Sequence, residues 1–369
     1  MSDSRKVVTA PDEEEIEGLG GDEDSSWGDY PIDTLLIRHE TRTVHDVVRR
    51  IDQGSFVMDP DFQRAFIWDN DKQSKLIESV LMRIPLPVFY LAEDSAGRMI
   101  VVDGLQRLST FSRYINNDLR LKLPNQKELH TKKFEDLSPK LQNRIEDCNL
   151  VLYIVDAKVP ERARLDIFER VNSGVPLTRQ QMRNSLYMGK ATTFLKEEAS
   201  TDLFKQATGN SLQSGTMRDR EFVNRFCAFH LLDLDSYSNK DEMDGFLARA
   251  LTHMNQLSPE DLTSLSEDFR RSLQNNLAVF GEHSFRKHRP DQARRGVLNA
   301  SLWDVMSTGL SNISEDAVLQ RKDALLSRFY ALMDDELFVR SITYGPNSAN
   351  QVLHRFEVMQ RTLAEVFDA

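Results

Sequence analysis

The stretch MIVVDGLQRLSTF, residues 99–111, decides the fold. Its first residues form an apolar run that reads as a strand, Asp103-Gly104 interrupts the run, and Leu105, Leu108 and Phe111 resume at helical spacing. The helix is expected to run from about Leu105 to about Asn117, with Ile115 also on its core face. Upstream, PVFYLAED gives a second short strand, joined to the first by an Asp-Ser-Ala-Gly turn, and NLVLYIVDA (149–157) gives a third. TVHDVVRRIDQG (43–54) reads as a helix with Val44, Val47, Val48 and Ile51 on one face and Gly54 as its stop. DNDKQSKLIESVLMRIPLP reads as another. Asp69 or Asn70 can cap it, Leu76, Ile77, Val80, Leu81 and Ile84 form its buried stripe, and Pro85 and Pro87 end it. Beyond residue 158 strand signals fade, and segments such as PERARLDIFERVNSG, REFVNRFCAFHLLDL and SLSEDFRRSLQNNLAVFG favour helices. The class is α+β, with a mixed unit over residues 35–158 and a mainly α-helical unit over 159–369.

The 369-residue chain, 40% hydrophobic and 28% charged, is long enough for two such cores. No apolar run approaches the roughly 20 residues that span a bilayer, and the N-terminus has no signal-peptide pattern. Two distant cysteines, Cys148 and Cys227, exclude a disulfide framework and a structural zinc site on count. A cytoplasmic location is expected. The net charge of −11 is uneven: residues 1–30 carry −8, and the remaining 339 carry −3. Residues 1–34 are expected to be an acidic disordered tail, because so few large apolar groups cannot repay the entropy of ordering. The near-neutral body is compatible with a nucleic-acid partner.

The turn at 103–107 has the parts of a phosphate site. A strand entering a helix presents unpaired N–H groups with partial positive charge. Gly104 admits close approach, Arg107 offers a planar fork, Gln106 can orient a water, and Asp103 can hold a magnesium ion. A plainer reading uses the same letters, with Asp103 as an N-cap and Arg107 as a solvated helix residue. DPDFQRAFIWD supplies a second Gln-Arg pair, Gln63 and Arg64, beside Trp68, whose plain role is core packing and whose alternative is base stacking. Asn172 lies in the turn of FERVNSGVPLT, after which Thr178 and Gln181 fit a capping box.

Taken in order, DPDFQRAFIWDNDKQSKLIESVLMRIPLPVFYL, VVDGLQRLSTF, FERVNSGVPLTRQQMRNSLY and MRDREFVNRFCAF resemble the GmrSD-type restriction protein family over roughly residues 38–310. The resemblance implies an N-terminal domain with a ParB/sulfiredoxin-like fold and an Asp-Gly-Gln-Gln-Arg (DGQQR) signature. It further implies a nucleoside-triphosphate site, with hydrolysis coupled to recognition of foreign, often modified, DNA. Carried over, the signature falls on Asp103, Gly104, Gln106 and Arg107, and the family's upstream Gln-Arg on Gln63 and Arg64. Leu105 replaces the third signature residue, so slow turnover is one expectation if that amide orients the attacking water.

For DNA, SFRKHRPDQARR (284–295) offers Arg286, Lys287, Arg289, Arg294 and Arg295 against the single acid Asp291. A solvated interhelical loop is the plainer alternative. Arg218, Arg220 and Arg225 are offset by Asp219 and Glu221 and read as a structural ion-pair network. No P-loop, HExxH or His-Asn-His nuclease pattern is present, and His354 stands alone. The expectation is therefore a magnesium-dependent NTPase of a phage-defence system. Asp103, Gln106 and Arg107 would be catalytic, Asp103 would bind the metal, and Gln63, Arg64, Gly104, Arg107 and Asn172 would hold GTP, ATP or CTP. DNA and a partner nuclease are the expected partners. The alternative is a non-hydrolysing nucleotide- and DNA-binding adaptor.

Overall fold

The computed structural model describes residues 16–19, 37–58, 68–94, 96–159, 161–171, 178–237, 242–290, 292 and 294–368. The chain divides into two compact units: Trp27–Leu186, and Met1–Ser26 together with Tyr187–Ala369. The class is α+β, as the patterning predicts, and the sheet unit extends past residue 158.

Among the described residues five strands make one mixed sheet: β1 (Ile37–Thr43), β2 (Phe56–Val57), β3 (Phe89–Glu93), β4 (Met99–Asp103) and β5 (Asn149–Val155). Their order is β1-β5-β3-β4-β2. β1 pairs antiparallel with β5 and β3 antiparallel with β4, while β3–β5 and β2–β4 are parallel. The helices of this unit are α1 (Val44–Asp52), α2 (Asn70–Leu81), α3 (Leu105–Ile115), α4 (Pro139–Glu146), α5 (Glu161–Val171) and α6 (Arg179–Leu186).

Alternation decides the faces. Phe89 and Leu91 of β3, Val101 of β4, and Leu150, Leu152 and Ile154 of β5 point to one side. There they meet Val44, Val47 and Val48 of α1, Ile77 and Val80 of α2, and Leu108 and Phe111 of α3. Asp69 caps α2 through its carboxylate, which accepts from Lys72 N–H. Ile84, read above as part of the α2 stripe, lies beyond the helix and is 46% exposed. Leu81 is followed by a turn in which Arg83 takes φ +60°, and this rotates Ile84 away from the core. The opposite face of β4 is covered by α5 and α6, whose Phe168, Met182 and Leu186 line a small apolar cavity with Ile100 and Val102. The Thr178–Gln181 capping box forms: Thr178 N–H donates to Gln181 Oε1 and Gln181 N–H to Thr178 Oγ1.

The second unit is helical, with α7 (Lys190–Ser200), α8 (Asp202–Thr208), α9 (Arg218–Leu231), α10 (Glu242–Met254) and α11 (Pro259–Phe280). It continues through α12 (Ala300–Gly309), α13 (Glu315–Gln320), α14 (Lys322–Asp334), α15 (Glu336–Ser341) and α16 (Ala349–Phe367). Its core centres on Trp303 of α12, packed by Phe222 of α9, Phe204 of α8, Phe269 of α11 and Phe285. Inside it, Arg225 of α9 forks onto Asp304 of α12 at 2.8 and 2.6 Å, and Arg355 of α16 reaches the same carboxylate at 2.8 Å. Arg225 thus belongs to a structural ion network, as its neighbouring acids suggest. Both cysteines are free. No helix among the described residues is long and apolar enough to cross a membrane.

Most of the acidic leader expected to be disordered lies outside the described residues. Residues 16–19 are seated on the helical unit, where Ile16 and Leu19 pack against its core.

Candidate functional site

β4 delivers Asp103 to the edge of the sheet, and the chain turns through Gly104 (φ +100°) directly into α3. Asp103 is not the helix cap. The N-cap position is Gly104, which makes no side-chain cap hydrogen bond, and the Asp103 carboxylate instead takes a 2.9 Å ion pair from Arg107 Nη2. Arg107 is not solvated either, being 9% exposed. Its Nη1 donates to Pro87 O at 2.5 Å and its Nη2 to Val88 O at 3.0 Å, while the guanidinium lies 4.2 Å from the centre of the Phe89 ring. Burial lowers the Arg107 pKa and Asp103 opposes that shift. Guanidinium remains charged at any physiological pH. One arginine therefore holds together the approach to β3, the end of β4 and the first turn of α3.

Gly104 has a packing reason beyond its backbone angle. A Cβ there would lie 2.3 Å from Cδ1 of Phe89. The space that a Cβ would take is in this structure filled by an aromatic ring.

Gln106 also faces protein. Its Oε1 accepts from Trp68 N–H at 3.0 Å, Trp68 O accepts from Gln73 Nε2 at 2.5 Å, and Gln73 Oε1 accepts from Arg113 Nη1 at 2.9 Å. This relay fixes the backbone at Trp68, immediately after the segment that carries Gln63 and Arg64. Trp68 itself packs half-buried against the sheet core, which agrees with its plainer reading. Gln63, Arg64 and Asn172 lie outside the described residues. Gln73, Arg113 and Phe89 carry no local signal for the site, since each meets the turn only through long-range packing. Across the strands Tyr90 is paired with Asp103, beside a register shift between Tyr90 and Leu91, and with Tyr153, and Tyr153 is paired with His39. The Tyr90 and Tyr153 rings stack with centroids 5.6 Å apart.

The second candidate, the basic stretch 284–295, follows α11. Phe285 adopts φ +61° and is fully buried, and the next residue, Arg286, follows it inward. Arg286 spends its guanidinium on Gly296 O, Ser284 O, Thr208 O and Ser211 Oγ. It is a staple for the loop, with no surface to offer a phosphate. Lys287 Nζ pairs with Glu17 Oε1 at 2.5 Å and donates to Thr343 Oγ1. Arg289 makes an exposed 2.8 Å pair with Asp334, Arg294 is exposed, and Arg295 donates to Gly209 O at 3.1 Å from an exposed position. His288 is buried beside Phe329, and burial lowers its pKa.

Residues 44–188 match the family model of the GmrSD restriction endonuclease, N-terminal domain. That match runs from α1 through α6 and contains the whole 103–107 turn. No curated protein matches the chain.

Proposed function

We propose that the chain is a nucleotide-binding component of a restriction or phage-defence system acting on foreign or modified DNA. The family match across the 103–107 turn carries this reading. The sheet unit would take a nucleoside triphosphate with Mg²⁺ at that turn, within a ParB-like domain, and the helical unit would contact DNA phosphates through Arg289, Arg294 and Arg295.

The residues fit such a ligand in a specific way. Arg107 occupies one oxygen of the Asp103 carboxylate, and the carboxylate remains about one third exposed, which leaves an oxygen for a cation. Among the described residues no group of three His, Cys, Asp or Glu is placed to hold a metal. A magnesium ion at Asp103 would therefore take its other ligands from water and phosphate, its usual habit in nucleotide sites. Such an ion supplies charge neutralisation and orientation of the phosphates. The chain supplies the uncapped first turn of α3 for an anion, and Arg107 to fix the Asp103 carboxylate. Gln106 is held by Trp68 N–H, so the segment carrying Gln63 and Arg64 and the turn are joined by one hydrogen bond. The stacked Tyr90 and Tyr153 offer an aromatic surface beside Asp103 for a base.

A second reading has its own support. Arg107 already satisfies two carbonyls and a carboxylate, and Leu105 stands where the signature has an amide. Both favour nucleotide binding without turnover, as in an adaptor that works with a partner nuclease. Phosphate release from ATP, GTP and CTP with magnesium, measured with and without plain and modified duplex DNA, separates the two. Release from one nucleotide, accelerated by DNA, is the expected result. Binding without release would establish the adaptor, and absence of binding to all three would end both readings.

A further inference from the structure

Residues Ile16–Leu19 come from the most acidic part of the chain and sit on its most basic loop. Glu17 N–H donates to Leu298 O at 2.9 Å and Glu17 O accepts from Ala300 N–H at 2.8 Å, a parallel bridge with Asn299. Leu19 O accepts from Asn347 Nδ2 at 2.7 Å. Gly18, at φ +79°, lies so close to Ser301, Asn299 and Ile342 that a Cβ would meet all three within 3.3 Å. Four residues thus form a seated strap, held by backbone bonds, by Ile16 and Leu19 against the core, and by the Glu17–Lys287 ion pair.

The strap has a consequence for charge. Lys287 is the cation of the 284–295 stretch that Glu17 neutralises, and its side chain is still 28% exposed. Between residues 10 and 26 the sequence holds eight acids and no base. Each residue spans at most about 3.6 Å, so chain connectivity ties this charge to the loop at a fixed anchor. A phosphate approaching Lys287 must break a 2.5 Å ion pair first.

We propose that the Ile16–Leu19 strap is an intramolecular competitor for polyanion on the basic loop, displaced when nucleic-acid phosphates take Lys287. The inference rests on the DNA reading of that loop. It goes beyond that reading by assigning the leader a role and by naming the residue pair that sets its strength. Unpairing Lys287 adds one phosphate contact to those offered by Arg289, Arg294 and Arg295. One such contact is worth about tenfold in affinity at about 50 mM salt through counterion release, and steepens the salt slope by about 0.9.

The test uses the full chain and a fluorescent duplex DNA. Glu17→Gln keeps both backbone bonds and the apolar anchors, so it removes the charge and leaves the seat. It is expected to bind the duplex about tenfold more tightly than wild type at low salt, with the steeper slope. Adding Lys287→Gln should erase that gain. Equal affinity of wild type and Glu17→Gln, or a gain that survives loss of Lys287, would overturn the strap while leaving the loop as a DNA site. If no form of the protein binds the duplex, the DNA reading falls and the strap falls with it.

Discussion

Replacing Asp304 with alanine should destabilise the helical unit by about 3–5 kcal/mol, the cost of stranding buried charge. Arg225, Asp304 and Arg355 are all fully buried, and one carboxylate serves two guanidiniums. Burial pulls both arginine pKa values down. For Arg225 the Asp304 charge outweighs it and the pKa is raised, whereas for Arg355 burial prevails and the pKa is lowered. Removing the carboxylate leaves two buried cations facing each other, with the Glu221 charge alone of the groups acting on Arg225 left to oppose them from α9. Urea denaturation followed by the fluorescence of the buried Trp303 is the direct measurement. A triple variant, Arg225→Met, Asp304→Leu and Arg355→Met, should cost less than the single change, because a buried ion network is often replaceable by apolar groups of similar volume. A loss under about 1 kcal/mol for Asp304→Ala would show that the network is not what holds α9, α12 and α16 together.

Gly104→Ala is the second large effect. The left-handed angle costs a residue with a Cβ about 1–2 kcal/mol, and forcing that Cβ against the Phe89 ring adds an overpacking term of about 1–3 kcal/mol. The sum, about 2–5 kcal/mol, should appear as a lower denaturant midpoint for the sheet unit. Repeating the substitution in a Phe89→Leu background isolates the ring. The backbone term stays and the overpacking term shrinks, so the two changes should couple by about 1 kcal/mol or more. An identical cost in both backgrounds would mean that the ring is not the barrier and that the glycine is there for its angle alone.

These two positions show what can and cannot be read from letters. The strand-turn-helix of 99–111 is legible because Ile100, Val101, Leu108 and Phe111 carry its periodicity themselves, and the structure sets β4 and α3 there. The turn's chemistry is not local. Arg107 finds Pro87, Val88 and Phe89 from the preceding strand, so neither a cap at Asp103 nor a solvated arginine could be tested without the fold. β1 escaped detection for a related reason. IRHETRT has no apolar alternation, and its inward positions Arg38, Glu40 and Arg42 close the core edge by ion pairs with Glu93 and Asp46. Desolvation raises the Asp46 pKa, and hydrogen bonds from Arg49, Arg42 and Arg50 more than reverse it, holding that carboxyl well below the usual range. The basic loop misled in the opposite direction. A cluster of like charges reads as surface, yet the φ of one residue, Phe285, sends Arg286 inside and removes it from any phosphate. The leader's composition argues for disorder, whereas its described residues, Ile16–Leu19, two of them apolar, are seated on the helical unit.

In the proposed function the 103–107 turn holds a magnesium nucleotide through Asp103. The measurement that addresses it most directly is calorimetric titration of ATP, GTP and CTP into wild type and Asp103→Asn, each with magnesium and with the metal chelated. Wild type is expected to bind at least one nucleotide, chelation to weaken this binding at least about tenfold, and Asp103→Asn to bind equally weakly under both conditions, each tenfold being about 1.4 kcal/mol. Magnesium-dependent binding of undiminished strength in Asp103→Asn, or no binding by wild type, would contradict it.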